Sequence, residues 1–415
     1  MPKASRIANL TDIAAGAPAP RAESTVYPVL LAVCLCHFIN DVMQSLLSAI
    51  YPMLKADYGL DFWQIGLLTL TFQCTASLLQ PMIGLYTDKK PMPQSLPVSS
   101  AATTCGLFVL AFSTSYPMLI VGAGLIGIGS AIFHPEASRV ARMASGGRFG
   151  LAQSVFQVGG NMGTALGPLL AAFIVVPRGQ TSVAWFTILA LISMLVLRQV
   201  GGWYGRYQRA NSQRPQPSKK LPVAKKRVIQ ALVILTLLVF SKNVYLASIS
   251  SYYTFFVIEK FGLEVQQAQM MLFLFLGAVA TGTILGGPIG DRVGTKTVIW
   301  FSILGVLPFT LALPYADLFW SGVLSVIIGL VLASAFPAIV VFAQELVPGR
   351  VGLVAGIFFG LSFGMGGLGA AALGFLADAN GIDWVYSVCS FLPMIGLLTI
   401  LLPSMKELRA NRHIA

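Results

Sequence analysis

Charge is what this chain has least of. Only 10% of its 415 residues are Asp, Glu, Lys or Arg, against about 25% in ordinary soluble domains. That excludes a water-soluble globule of this length. Histidine is scarcer still: His37, His134 and His413 are the three, and they are scattered in sequence. No nucleophile–base spacing and no metal-ligand cluster is legible around them. A membrane enzyme is therefore disfavoured, and neither metal nor other cofactor is expected. The five cysteines (Cys34, Cys36, Cys74, Cys105, Cys389) show no CxxC spacing and read as small apolar residues. Met1–Ala22 is polar and rich in Ala and Pro, without the apolar core of a cleaved signal peptide. Residues 1–26 are expected to form a disordered cytoplasmic tail.

Apolar residues are what remains, 56% of the chain, with a mean hydropathy of +0.78. A bilayer-spanning helix needs about 20 apolar residues. Twelve such segments can be marked, at 27–50, 62–86, 95–113, 117–139, 151–176, 182–200, 228–257, 266–290, 297–315, 319–344, 351–377 and 384–403. No open sheet edge is viable in lipid, so helices are the default. The expected class is an all-α membrane protein in the lipid bilayer.

The net charge of +12 does not point to nucleic acid, because its placement follows the segments. With both termini inside, cytoplasmic segments hold 23 of the 27 Lys and Arg; external loops hold Lys55, Arg178 and Lys260, and Lys242 lies inside a segment. That bias is the positive-inside rule. It predicts a multi-pass protein of the bacterial inner membrane with both ends cytoplasmic.

Gly201–Arg227 is the one long polar break. It carries eight basic residues, no acidic ones, and Pro215, Pro217 and Pro222, a composition that gives a solvated linker. It separates six segments (27–200) from six (228–403), with a tail at 404–415. The halves repeat. Gly84-x-x-x-Asp88-Lys89 returns as Gly287-x-x-x-Asp291-Arg292, Gln64–Leu70 as Gln267–Phe273, and Arg148-Phe-Gly-Leu as Arg350-Val-Gly-Leu, at near-constant offset. Parallel six-helix repeats place a substrate site between halves near the bilayer midplane, with alternating access.

Within this frame the rare polar residues are conspicuous. A charged group at the centre of a membrane helix costs roughly 2.5–3.5 kcal/mol, so it tends to serve transport or proton relay. Asp41 sits in such a place. His37, Asp41, Gln44/Ser45 and Ser48 form one polar stripe. Burial disfavours the charged form of a carboxylate, so Asp41 is expected to bind and release a proton, with His37 as its partner. Lys242 lies beside a second stripe of Ser241, Tyr245, Ser248 and Tyr252. It is expected to attract an anionic substrate or to pair with Asp41. Pro135 should kink its helix. His134 and Glu136 diverge around it, whereas Glu136 and Arg139 can pair, either as a gate network with Asp88 or in direct proton and anion handling. Gln153, Gln157 and Asn161 form a neutral stripe suited to a polar ligand. Gly159, Gly160, Gly163 and Gly167 allow close helix contact, and Gly360, Gly364, Gly366, Gly367 and Gly369 read the same way.

The repeated loop motif resembles that of the major facilitator superfamily, G-x-x-x-D-(R/K)-x-G-(R/K). Pro91 stands where that family has its second Gly, and the later copy has one extra residue before Lys296. The resemblance implies two six-helix pseudo-symmetric bundles and a gate at Gly84, Asp88, Lys89, Gly287, Asp291 and Arg292. Gly163, Gly167 and Pro168 are similar to the superfamily's antiporter motif, with Ala171 and Ala172 replacing its closing glycines. Longer stretches resemble the superfamily's fosmidomycin-resistance efflux branch: Asn40–Leu46, Phe133–Gly147, Ala152–Asn161, Ser248–Phe255 and Phe363–Ala371. This resemblance implies proton-driven antiport of a small polar or anionic compound such as a phosphonate antibiotic, powered by the proton gradient, by a monomer. Coupling would fall to Asp41, His37 and Glu136. Substrate would meet Lys242, Tyr245, Tyr252, Gln153, Gln157, Asn161, His134, Arg139 and Gln44. Proton-coupled uptake of an organic acid or sugar phosphate, and a non-transporting membrane receptor, are the competing readings.

Overall fold

A computed structural model describes residues 24–211, 221–404 and 407–408. Most of both expected tails and the centre of the expected linker, 212–220, lie outside the described residues. No described residue is in a β-strand.

Twelve helical segments follow the apolar pattern. They are α1 (Tyr27–Ala49), α2 (Phe62–Lys89), α3 (Ser95–Ala111), α4 (Tyr116–Met143), α5 (Phe149–Leu170), α6 (Phe186–Asn211), α7 (Lys225–Phe261), α8 (Val265–Val293), α9 (Thr295–Ile303), α10 (Leu318–Ala333, resuming at Ala335–Leu346), α11 (Val351–Asn380) and α12 (Ile382–Cys389). Among the described residues, ten helices are long and apolar enough to cross a membrane, and α3 is an apolar helix of 17 residues. The ends are chemically marked. Asp61 and Glu264 form capping boxes with Gln64 and Gln267 at the starts of α2 and α8, at equivalent points of the repeat. Asp317 caps α10 by accepting from Trp320 N.

Several boundaries differ from expectation: α9 and α12 stop at Ile303 and Cys389, and further helical pieces, Leu307–Ala312 and Leu392–Leu401 among them, carry those apolar runs on. α6 runs on to Asn211, taking in the first eleven residues of the polar break. Trp203 and Tyr204 are buried there, and this apolar face outweighs the basic residues around it.

The chain divides into two compact units, residues 1–217 with 350–356, and residues 218–349 with 357–415. The core of the first joins Val42, Leu46 and Leu47 of α1 to Leu107, Leu110, Ile126 and Phe186. Three glycines let α5 lie directly on α1: a methyl group at Gly159, Gly163 or Gly167 would strike Cys34 O, Phe38 O or Ser45 Oγ. The core of the second joins Tyr245, Ile249 and Phe256 of α7 to Phe275, Ile328 and Tyr386, with the Phe256 and Tyr386 rings stacked at 4.2 Å. Leu31, Leu78, Met82, Phe173 and Ile188 in the first unit, and Phe255, Phe273 and Phe319 in the second, are exposed. In water these would be a liability; in lipid they are the expected outer surface.

Candidate functional site

In the first unit, α1 and α5 in contact bring His37 against α5, where its Nδ1 lies 2.7 Å from Phe156 O and its ring stacks on Phe156 at 4.1 Å. One turn on, Asp41 is 3.4 Å from His37 Nε2. α4, continuous through Pro135, supplies the third member. His134 Nε2 stands 3.2 Å from His37 Nε2 and 3.6 Å from Asp41 Oδ1, and its Nδ1 is 2.9 Å from Ser130 O. Asn40 Nδ2 and Gln44 Nε2 both donate to Asp41 Oδ1, at 3.0 and 2.8 Å, and Ser130 Oγ donates to Gln44 Oε1. All three titratable residues are buried, none more than 5% exposed. A buried charge survives only with partners, and this network supplies them.

The histidines are thus not scattered in space. The ligand atoms of His37, Asp41 and His134 fall within 4.8 Å of one another, a spacing that a shared proton or a metal ion can occupy. The cluster is not legible in the sequence because His134 lies 97 residues from His37.

A second network lies further along α4. Arg139 pairs with Glu136 and with Asp88, each at 2.5 Å, and also donates to Thr87 Oγ1 and Tyr204 OH. Ser95 Oγ donates to Glu136 Oε2. Asp88 also accepts from Gly352 N at 2.9 Å and Leu353 N at 2.8 Å. It thereby holds the first turn of α11, where backbone N–H groups lack helical partners. Gly84 packs on Gly352 with no room for a methyl group. Glu136 and Arg139 therefore partner each other and Asp88, and not the Asp41 cluster or an open ligand face; Lys89 is exposed. The later copy of the motif differs. Gly287 is buried, but Asp291 and Arg292 are exposed and line an open cleft of about 690 Å³ with Lys296 and Trp300.

In the second unit, Lys242 is buried and its ammonium sits 5.2 Å from the centre of the Phe336 ring. Among the described residues it has no hydrogen bond and no ion pair. The neighbouring stripe belongs to packing. Tyr245 lies in the hydrophobic core, Ser241 and Ser248 donate to Leu392 O and Tyr245 O, and Tyr252 donates to Ala370 O. Asn243, which the sequence reading passed over, donates to Ser362 Oγ at 3.0 Å. Gly364 and Gly366 have no neighbour within 4 Å of a built methyl group, so they are not packing glycines. On α5, Gln153 accepts from Ser138 Oγ and Gln157 donates to Asn161 Oδ1. Gln153 Nε2 and Gln157 Oε1 have no partner among the described residues, so the neutral stripe retains hydrogen-bonding capacity.

The family model of the Major Facilitator Superfamily matches residues 33–367 and 244–413. The chain belongs to the major facilitator superfamily. It is a membrane transporter. It is 56% identical over 400 residues to the fosmidomycin resistance protein of Escherichia coli (strain K12), covering 96% of this chain and 97% of that one. It is 42% identical to the MFS-type transporter YfnC of Bacillus subtilis (strain 168), covering 93% and 95%. In fold it is similar to the E. coli fucose:proton symporter FucP, with a TM-score of 0.69 at 13% identity, covering 92% and 99%.

Proposed function

We propose that this transporter is a proton-coupled antiporter that exports a small oxyanion, fosmidomycin among them, from the cytoplasm across the bacterial inner membrane by alternating access. The observation that carries the anion is Lys242. A buried ammonium without a counter-ion is costly, and an incoming phosphonate relieves that cost. The export direction and the phosphonate are supported by the similarity to the fosmidomycin resistance protein.

The His37–Asp41–His134 cluster supports proton exchange, since it is a buried titratable group in the first unit. Each charge moved across 100 mV is worth about 2.3 kcal/mol, enough for one or two protons to concentrate cargo usefully. The proton gradient is the only energy source in this reading, and no cofactor takes part. The latch of Asp88 on Gly352 and Leu353, tied to Arg139 and Glu136, serves as the gate. The charge bias of the loops supports cytoplasmic termini, the polar break supports a linker between halves, and the superfamily supports a monomer.

The experiment is drug-susceptibility profiling of a pump-deficient strain carrying this chain. A raised tolerance of phosphonates, with other drug classes unchanged, is the expected result. Unchanged phosphonate tolerance despite membrane expression would contradict it.

A further inference from the structure

Both histidine rings of the cluster are oriented by backbone carbonyls. His37 Nδ1 faces Phe156 O and His134 Nδ1 faces Ser130 O. A carbonyl oxygen only accepts, so each Nδ1 carries a hydrogen and donates it. Each Nε2 is then a bare lone pair in a neutral ring, or an N–H in an imidazolium. These two Nε2 atoms are 3.2 Å apart, and the carboxylate oxygens lie 3.4 and 3.6 Å away. With both rings neutral and Asp41 ionised, acceptors alone would face one another in a buried site, and no hydrogen would join them. One proton on either Nε2 converts the array into an N–H···N contact beside a carboxylate.

Asp41 is suited to a different task. Its Oδ1 already accepts two amide N–H groups, from Asn40 and Gln44, a pattern that serves an ionised carboxylate. The other elements around the cluster add no competing charge. α5 has no titratable residue in its span and presents Gly160 and Phe156. The remaining charged groups of α4 and α2 here, Glu136, Arg139 and Asp88, are paired with one another. Cys34 and Cys36 are the other titratable groups on α1 nearby, and Cys36 donates to Ser193 O.

We propose that the His37–His134 pair carries the coupling proton, shared between the two Nε2 atoms, and that Asp41 stays ionised as its fixed counter-charge. This rests on the proton-exchange reading and names the carrier within it. His37 belongs to α1 and His134 to α4, so the proton is also a staple between two helices of the first unit. Its departure leaves two lone pairs facing each other, and the α1–α4 contact then loosens.

The chain's three histidines make the test direct. In a His413→Gln background, ¹⁵N-histidine NMR of the protein in nanodiscs reports only His37 and His134. The expected spectrum has both Nδ1 protonated and one Nε2 proton shared by the two rings. That proton should leave in one step that moves both signals together. Two neutral rings at every pH at which the protein stays folded, two independent steps, or a tightly bound metal ion found by elemental analysis would overturn the proposal. A second arm uses His134→Gln, whose amide keeps a hydrogen bond to His37 without titrating. Fosmidomycin-driven proton release, measured at saturating fosmidomycin, should fall by about tenfold or more; unchanged release would overturn the proposal. Proton release absent from the unsubstituted protein would instead remove the exchange reading, a failure separate from the NMR result.

Discussion

Lys242 holds its ammonium 5.2 Å from the centre of the Phe336 ring, and that ring is its sole partner among the described residues. A cation over an aromatic face gains about 0.5–2 kcal/mol, well short of a buried ion's desolvation cost. The second unit therefore keeps a cation in deficit, and it is there that the proposed function brings an anionic ligand.

Lys242→Met should separate stability from function. Removing a buried, uncompensated charge is expected to raise the thermal unfolding temperature or leave it unchanged. A charge-assisted contact is worth about 1.5–3 kcal/mol, so fosmidomycin binding should weaken by about ten- to a hundredfold. Thermal melts and equilibrium binding in detergent check both halves of this statement.

Gly160→Ala should disable coupling through one methyl group. A Cβ there would lie 2.5 Å from His37 Nε2 and 2.8 Å from Asp41 Oδ2. Overpacking of this kind costs about 1–3 kcal/mol, and here it falls on the cluster itself. Resistance should drop sharply with protein still in the membrane. Gly364→Ala, which meets nothing within 4 Å, should leave resistance intact.

Arg139 serves two carboxylates at once. Arg139→Met leaves Glu136 and Asp88 without their cation and should cost about 3–5 kcal/mol. Arg139→Lys should rescue little, since a point charge cannot reproduce the fork that reaches Glu136, Asp88 and Thr87. Asp291→Asn, at the exposed repeat of the motif, should change stability by less than about 0.5 kcal/mol. Melting temperatures of the three variants decide the matter.

The helices were legible because lipid demands long apolar runs, and α1's polar stripe was legible because His37 and Asp41 are one turn apart. His134 was not, since its place beside them depends on how α4 packs against α1. The internal repeat held a usable signal. At the offset of 202 that relates Arg148 to Arg350, His134–Pro135 falls on Phe336–Pro337. Both pre-proline residues meet the ion of a partner helix, His134 meeting Asp41 and Phe336 meeting Lys242. The α7 stripe misled because hydroxyls at helical spacing look alike whether they face a cavity or, as Ser241 and Ser248 do, donate to carbonyls. Spacing placed Arg139 beside Glu136, and the repeated loop motif offered Asp88, 51 residues away, as their partner; what no motif showed is that Asp88 also accepts from Gly352 N and Leu353 N.

Fosmidomycin accumulation in inside-out vesicles with an acidic interior tests the whole account most directly. The unsubstituted chain should load the drug against its gradient, a protonophore should abolish loading, and Asp41→Asn should load none. Equal accumulation by Asp41→Asn, or accumulation that persists after the proton gradient has collapsed, would contradict it.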